Sequence, residues 1–84
     1  MLGVKYSNQA LKFLKRSDKI LQQRLMKKIE ALRIEPFPSD IKSVEGFKEK
    51  LFRVRVGDYR ILYEVDHQLN LIGIIKIDHR KTVY

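Results

Sequence analysis

Apolar residues recur along this chain with two different periods, and the change from one to the other falls near Lys48. Leu21, Leu25, Ile29 and Leu32 follow one another at spacings of four, four and three, which makes one apolar stripe on a helix. Before them Ala10, Leu11, Phe13 and Leu14 give a shorter helix its apolar side. Ser7 offers a hydroxyl to cap that first helix, and Ser17 or Asp18 can cap the second. Pro36 and Pro38 cannot continue a helix, so the second one is expected to end near Ile34 or Glu35 and to pass into a loop through Ser39, Asp40 and Gly46. Leu2 to Tyr6 reads as a short opening strand.

From Lys48 the period becomes two. Phe52, Val54, Val56, Tyr59, Ile61, Tyr63 and Val65 fall on one face, and Arg53, Arg55 and Arg60 on the other. The alternation turns about Gly57-Asp58, so a two-residue hairpin loop pairs Val56 with Tyr59, Arg55 with Arg60, Val54 with Ile61 and Phe52 with Tyr63. Two arginines then stand directly opposed, which like-charge repulsion disfavours, and an arrangement that costs stability points to a site. After a turn around Asp66-His67-Gln68, the almost continuous apolar run Leu69 to Ile77 predicts a strand covered on both faces. Asp78 and His79 break the run, and Lys81 to Tyr84 form a last short strand or a tail. The expected order is β-α-α-β-β-β, with one further short β at most. That is an α+β fold, a single antiparallel sheet with two N-terminal helices packed on one face. No repeat, low-complexity stretch or linker divides residues 1–84, so one domain is expected.

Composition narrows the partners. The 84 residues carry 18 Lys and Arg against 10 Asp and Glu, a net charge of +8, which suits a polyanion or an acidic protein partner and equally suits plain solubility. Cysteine is absent, which removes disulfides, a thiolate nucleophile and a thiolate metal site. No run approaches the roughly 20 apolar residues of a membrane helix, and the start lacks a signal-peptide core, so a soluble cytoplasmic protein with no membrane partner is expected. Asp78, His67 and His79 lack metal-ligand spacing and no glycine-rich phosphate loop is present, so no metal and no cofactor are expected.

Placement adds what charge alone leaves open. Arg53, Arg55, Arg60, Arg80 and Tyr84 fall within reach of one another if the last third of the chain folds as described. Guanidinium groups grip two phosphate oxygens at once and stay charged at any working pH. Lys27, Lys28 and His79 are further phosphate-binding candidates, although a solvated helix face and a surface histidine explain them as well.

The run Leu51-Phe52-Arg53-Val54-Arg55-Val56-Gly57-Asp58-Tyr59-Arg60-Ile61-Leu62-Tyr63-Glu64, with Ile77-Asp78-His79-Arg80-Lys81-Thr82-Val83-Tyr84 downstream, resembles the RelE family of the RelE/ParE toxin superfamily. The resemblance implies a toxin of a type II toxin–antitoxin pair, an endoribonuclease that enters the ribosomal decoding site and cuts messenger RNA. It implies partners as well: ribosome and messenger, and a cognate acidic, RelB-like antitoxin in a heterodimer or heterotetramer. By the same resemblance Arg60 is the main phosphate clamp, Arg53 replaces one of two strand lysines, Arg80 is a second clamp or proton donor, and Tyr84 is the candidate base. Leu51 stands where the other strand lysine would be, and Lys48 and Lys50 reach RNA phosphate only if a bulge re-aims them. Two other readings stay open: a ParE-like inhibitor of DNA gyrase, and a non-catalytic RNA- or ribosome-binding module.

Overall fold

A computed structural model describes residues 1–44 and 50–79. Strand β1 (Gly3–Tyr6) leads into helix α1 (Asn8–Arg16) and helix α2 (Lys19–Ile34), and strands β2 (Lys42–Val44), β3 (Leu51–Val56), β4 (Tyr59–Asp66) and β5 (Leu71–His79) follow. The five strands form one sheet in the order β1-β5-β4-β3-β2. Strands β3 to β5 pair antiparallel, as the pattern predicts, and β2 joins β3 in the same sense, while β1 departs from the expected antiparallel sheet and joins β5 in parallel, because the two helices carry the chain across the sheet before it returns.

The expected caps form. Ser7 Oγ accepts from the Ala10 amide at 3.1 Å, and Asp18 Oδ1 accepts from Leu21 N at 2.8 Å, each satisfying a donor that the first turn leaves free. Leu25, Ile29 and Leu32 of α2 and Ala10 and Leu14 of α1 are buried against Val54, Val56, Ile61, Tyr63, Ile72, Ile74 and Ile77. The helices therefore cover one face of the sheet. The other face carries the odd-numbered arginines of β3.

Two further features depart from expectation. The stretch after α2 is not all loop, since Lys42, Ser43 and Val44 pair with Arg53, Phe52 and Leu51 as the edge strand β2. Its three residues have no apolar alternation, and pairing alone makes them a strand. The apolar run in β5 also has a different origin from coverage on both faces. Register shifts between Leu62 and Tyr63, so that Lys76 pairs with Leu62 and Ile74 with Tyr63, leaving Ile75 as the extra residue of a bulge. Ile72, Ile74 and Ile77 then all face the helices, whereas Lys76 keeps nearly half of its side chain exposed. Strand β5 continues through Asp78 and His79, the two residues expected to break the run.

Residues of the β1–α1 junction hold the bulge. Ser7 N donates to Ile74 O at 2.9 Å, and Ser7 Oγ donates to Ile75 O at 2.6 Å. Beyond the end of β1 the amide of Gln9 takes over as a strand would, donating to Ile77 O at 2.6 Å and accepting from Ile77 N at 2.9 Å. Backbone groups at the free edge of β5 thus find partners.

Candidate functional site

The β3–β4 hairpin has the predicted register, with Arg55 opposite Arg60 and Val56 opposite Tyr59. Gly57 has φ of +58°, a conformation that side chains with a Cβ resist, and its place as first turn residue suits the right-handed twist of the flanking strands. On the face away from the helices, cross-strand pairing makes two rows. Lys42, Arg53, Leu62 and Lys76 form one, and Arg55, Arg60 and Asp78 form the other.

A cleft of about 430 Å³ opens along these rows, lined by Asp40, Lys42, Arg53, Val54, Arg55, Gly57 and Arg60. Four cationic side chains share it with one carboxylate. Asp40 is itself engaged by Lys28 Nζ at 3.0 Å, and Arg55 Nε donates to Gly57 O at 2.9 Å, folding that guanidinium over the turn. Arg53 and Arg60 are half-buried while Arg55 is exposed. Half-burial between other cations lowers the effective dielectric around any anion that enters and strengthens its attraction.

The structure thus brings together Arg53, Arg55 and Arg60, and brings Lys28 to the cleft's edge through Asp40. It does not bring the other described candidates there. His79 pairs with Tyr59, and its ring lies 5.3 Å from that of Tyr59, edge to face. Tyr59 in turn meets Phe13 of α1 at 5.8 Å, so His79 belongs to the helix side of the sheet. Lys50 lines a separate hollow with Glu64, Asp66 and His67. Lys27 is exposed on α2. Arg80, Tyr84 and Lys48 lie outside the described residues.

Sequence reasoning missed Lys42, Lys76 and Asp78 as members of this face. Lys42 is visible only once β2 is paired, and the bulge at Ile75 is what turns Lys76 and Asp78 outward. Lys76 Nζ lies 3.7 Å from Asp78 Oδ2. A weak signal existed for the bulge: a lysine between two isoleucines in an otherwise apolar run breaks a regular alternation.

Two helices laid over one face of a five-stranded sheet make a small α+β fold, and that fold recurs in RelE toxins of known structure. A chain of the archaeal RelE–RelB complex from Pyrococcus horikoshii superposes with a TM-score of 0.82 at 32% identity, covering 96% of this chain and 97% of that one. The isolated Escherichia coli RelE toxin shares the fold, with a TM-score of 0.80 at 17% identity over 94% of this chain and 84% of that one. A curated candidate toxin RelE1 of Methanocaldococcus jannaschii is 37% identical over 59 residues, which span 67% of this chain and 64% of that protein. The model of the ParE toxin of type II toxin–antitoxin systems, parDE, matches residues 4–84. The chain belongs to this ParE toxin family, and within the wider RelE/ParE superfamily it is RelE-like.

Proposed function

We propose that this toxin is a ribosome-dependent messenger RNA endonuclease whose reaction runs at the cleft between Lys42 and Arg60. The observation that carries the reading is the convergence of Lys42, Arg53, Arg55 and Arg60 on one concave surface. RNA contains its own nucleophile. Attack of a ribose 2′-hydroxyl on the adjacent phosphorus forms a 2′,3′-cyclic phosphate and expels the 5′-oxygen, so the protein has to take one proton, return one, and neutralise a phosphorane. Arg60 would serve as the main clamp on the non-bridging oxygens, with Arg53 beside it.

Arg80 and Tyr84 complete the proposal as donor or second clamp and as general base. A phenol titrates near 10 in water, and surrounding cations favour its phenolate. The partner of the resting toxin would be an acidic antitoxin, in keeping with the RelE–RelB complexes among its structural relatives. Its negative charge would complement the +8 chain. A ribosomal target would put the protein in the cytoplasm.

Purified toxin added to ribosomes with a defined codon in the A site tests the reading. Cleavage within that codon, leaving a cyclic phosphate and a free 5′-hydroxyl, is expected, with Tyr84→Phe slower by at least a hundredfold and still bound by antitoxin. Intact messenger together with blocked gyrase supercoiling would replace the nuclease with a gyrase inhibitor, and neither effect would leave a binding module.

A further inference from the structure

The tip of the β3–β4 hairpin joins the cleft to a second cationic element. Gly57 lines the cleft on the sheet face, and Arg24 reaches the same glycine from α2. A Cβ built on Gly57 would stand 2.7 Å from one terminal nitrogen of Arg24 and 3.3 Å from the other, so only the missing side chain lets the guanidinium lie there. Arg55 approaches from the other side, its Nε bonded to Gly57 O at 2.9 Å. That bond uses one of the five N–H donors of Arg55. Arg24 is exposed and, among the described residues, forms no ion pair. Asp58, the other turn residue, is likewise exposed and pairs with neither guanidinium. Two cations held against one residue with no carboxylate between them repel, and a phosphate bridging both would remove that cost.

We propose that Arg24 and Arg55, meeting at Gly57, form a second phosphate subsite that grips the messenger backbone next to the linkage held by Arg53 and Arg60. The subsite rests on the messenger-cleaving reading above. It deepens that reading by assigning α2 a part in it: the RNA strand leaves the cleft over the hairpin tip, toward the hollow that Arg24 lines with Lys19, Leu21 and Tyr59, where the one carboxylate, Asp18, is engaged in capping α2. Arg24 acts in binding the strand and takes no part in the proton transfers.

The test uses the full chain and ribosomes whose A-site codon carries a 2′-O-methyl group at the cleavage position, which blocks attack and isolates binding. Arg24→Gln is expected to bind about tenfold more weakly than the wild type, with the slope of log affinity against log salt reduced by about 0.7, as for one lost phosphate contact on a single strand. Arg24→Lys should recover most of the slope. Unchanged affinity and slope in Arg24→Gln would overturn the subsite while wild-type cleavage left the nuclease reading standing. Equal weakening on ribosomes without messenger would also overturn it, because the contact would then be to ribosomal RNA. A lowered melting temperature with unchanged affinity would make Arg24 a structural strut only, against the proposal. Wild-type toxin that neither binds nor cleaves would sink the nuclease reading and the subsite together.

Discussion

Tyr63 shows how a single core residue is tied to the rim of the cleft. Its side chain is fully buried, and its hydroxyl donates to Pro36 O at 2.7 Å, pinning the segment that runs on to Asp40 and Lys42. Burial first, and the negative charge of Asp40 second, push its pKa well above the usual phenol value. A raised pKa means that the folded state favours the neutral phenol. The resulting stabilisation is complete below the unfolded value near 10 and is lost as pH climbs above it toward the folded value. Urea unfolding between pH 8 and 11 should show stability falling above pH 10. Tyr63→Phe should be about 1 kcal/mol less stable at pH 8, from the lost hydrogen bond, and should fall less steeply in alkali. An identical alkaline slope in both proteins would mean that Tyr63 is not the group responsible.

At the scale of elements, the bulge in β5 decides which residues of that strand share the sheet face on which the cleft opens. Without the extra residue at Ile75, the alternation from Ile72 and Ile74 would carry Lys76 and Asp78 into the helix-packed core, an unfavourable place for charges. Gln9 and Ser7 fix that shift through three side-chain hydrogen bonds and one backbone hydrogen bond to Ile74, Ile75 and Ile77. Gln9→Ala removes both bonds to Ile77, and a loss of about 1 kcal/mol in urea unfolding is expected because water can reach the freed groups. Messenger cleavage should fall as well, since Asp78 and the start of the C-terminal segment follow directly from Ile77. Full cleavage with lowered stability would separate the bulge from the site.

The same strand explains what the sequence could and could not convey. Helices and hairpin were legible because their signals are local: the Leu21 to Leu32 stripe, the caps at Ser7 and Asp18, and the strict alternation around Gly57-Asp58 each depend on near neighbours. The pairing of Arg55 with Arg60 followed from the turn length alone. Strand β2 was not legible, since Lys42 to Val44 owes its conformation to β3, and the bulge was read as a doubly covered strand because a phase shift and two buried faces give the same apolar run. His79 was assigned to the cationic group from its place in sequence beside Arg80, whereas pairing with Tyr59 sets its ring on the other side of the sheet.

For the whole molecule, charge and layering work together. The helices cover one face with apolar contacts, and positive charge gathers on the opposite face, where Lys42, Arg53, Arg55 and Arg60 share a single cleft. Such a surface draws polyanions at long range. The most direct measurement is the single-turnover rate of messenger cleavage on saturating ribosomes for the wild type, Arg60→Gln and the Arg53→Gln, Arg60→Gln double variant, with melting temperatures recorded alongside. A fall of at least a hundredfold for Arg60→Gln, deepened in the double variant at near-constant melting temperature, is the predicted result. Undiminished cleavage by the folded double variant would contradict the assignment of this cleft as the place where the RNA is cut.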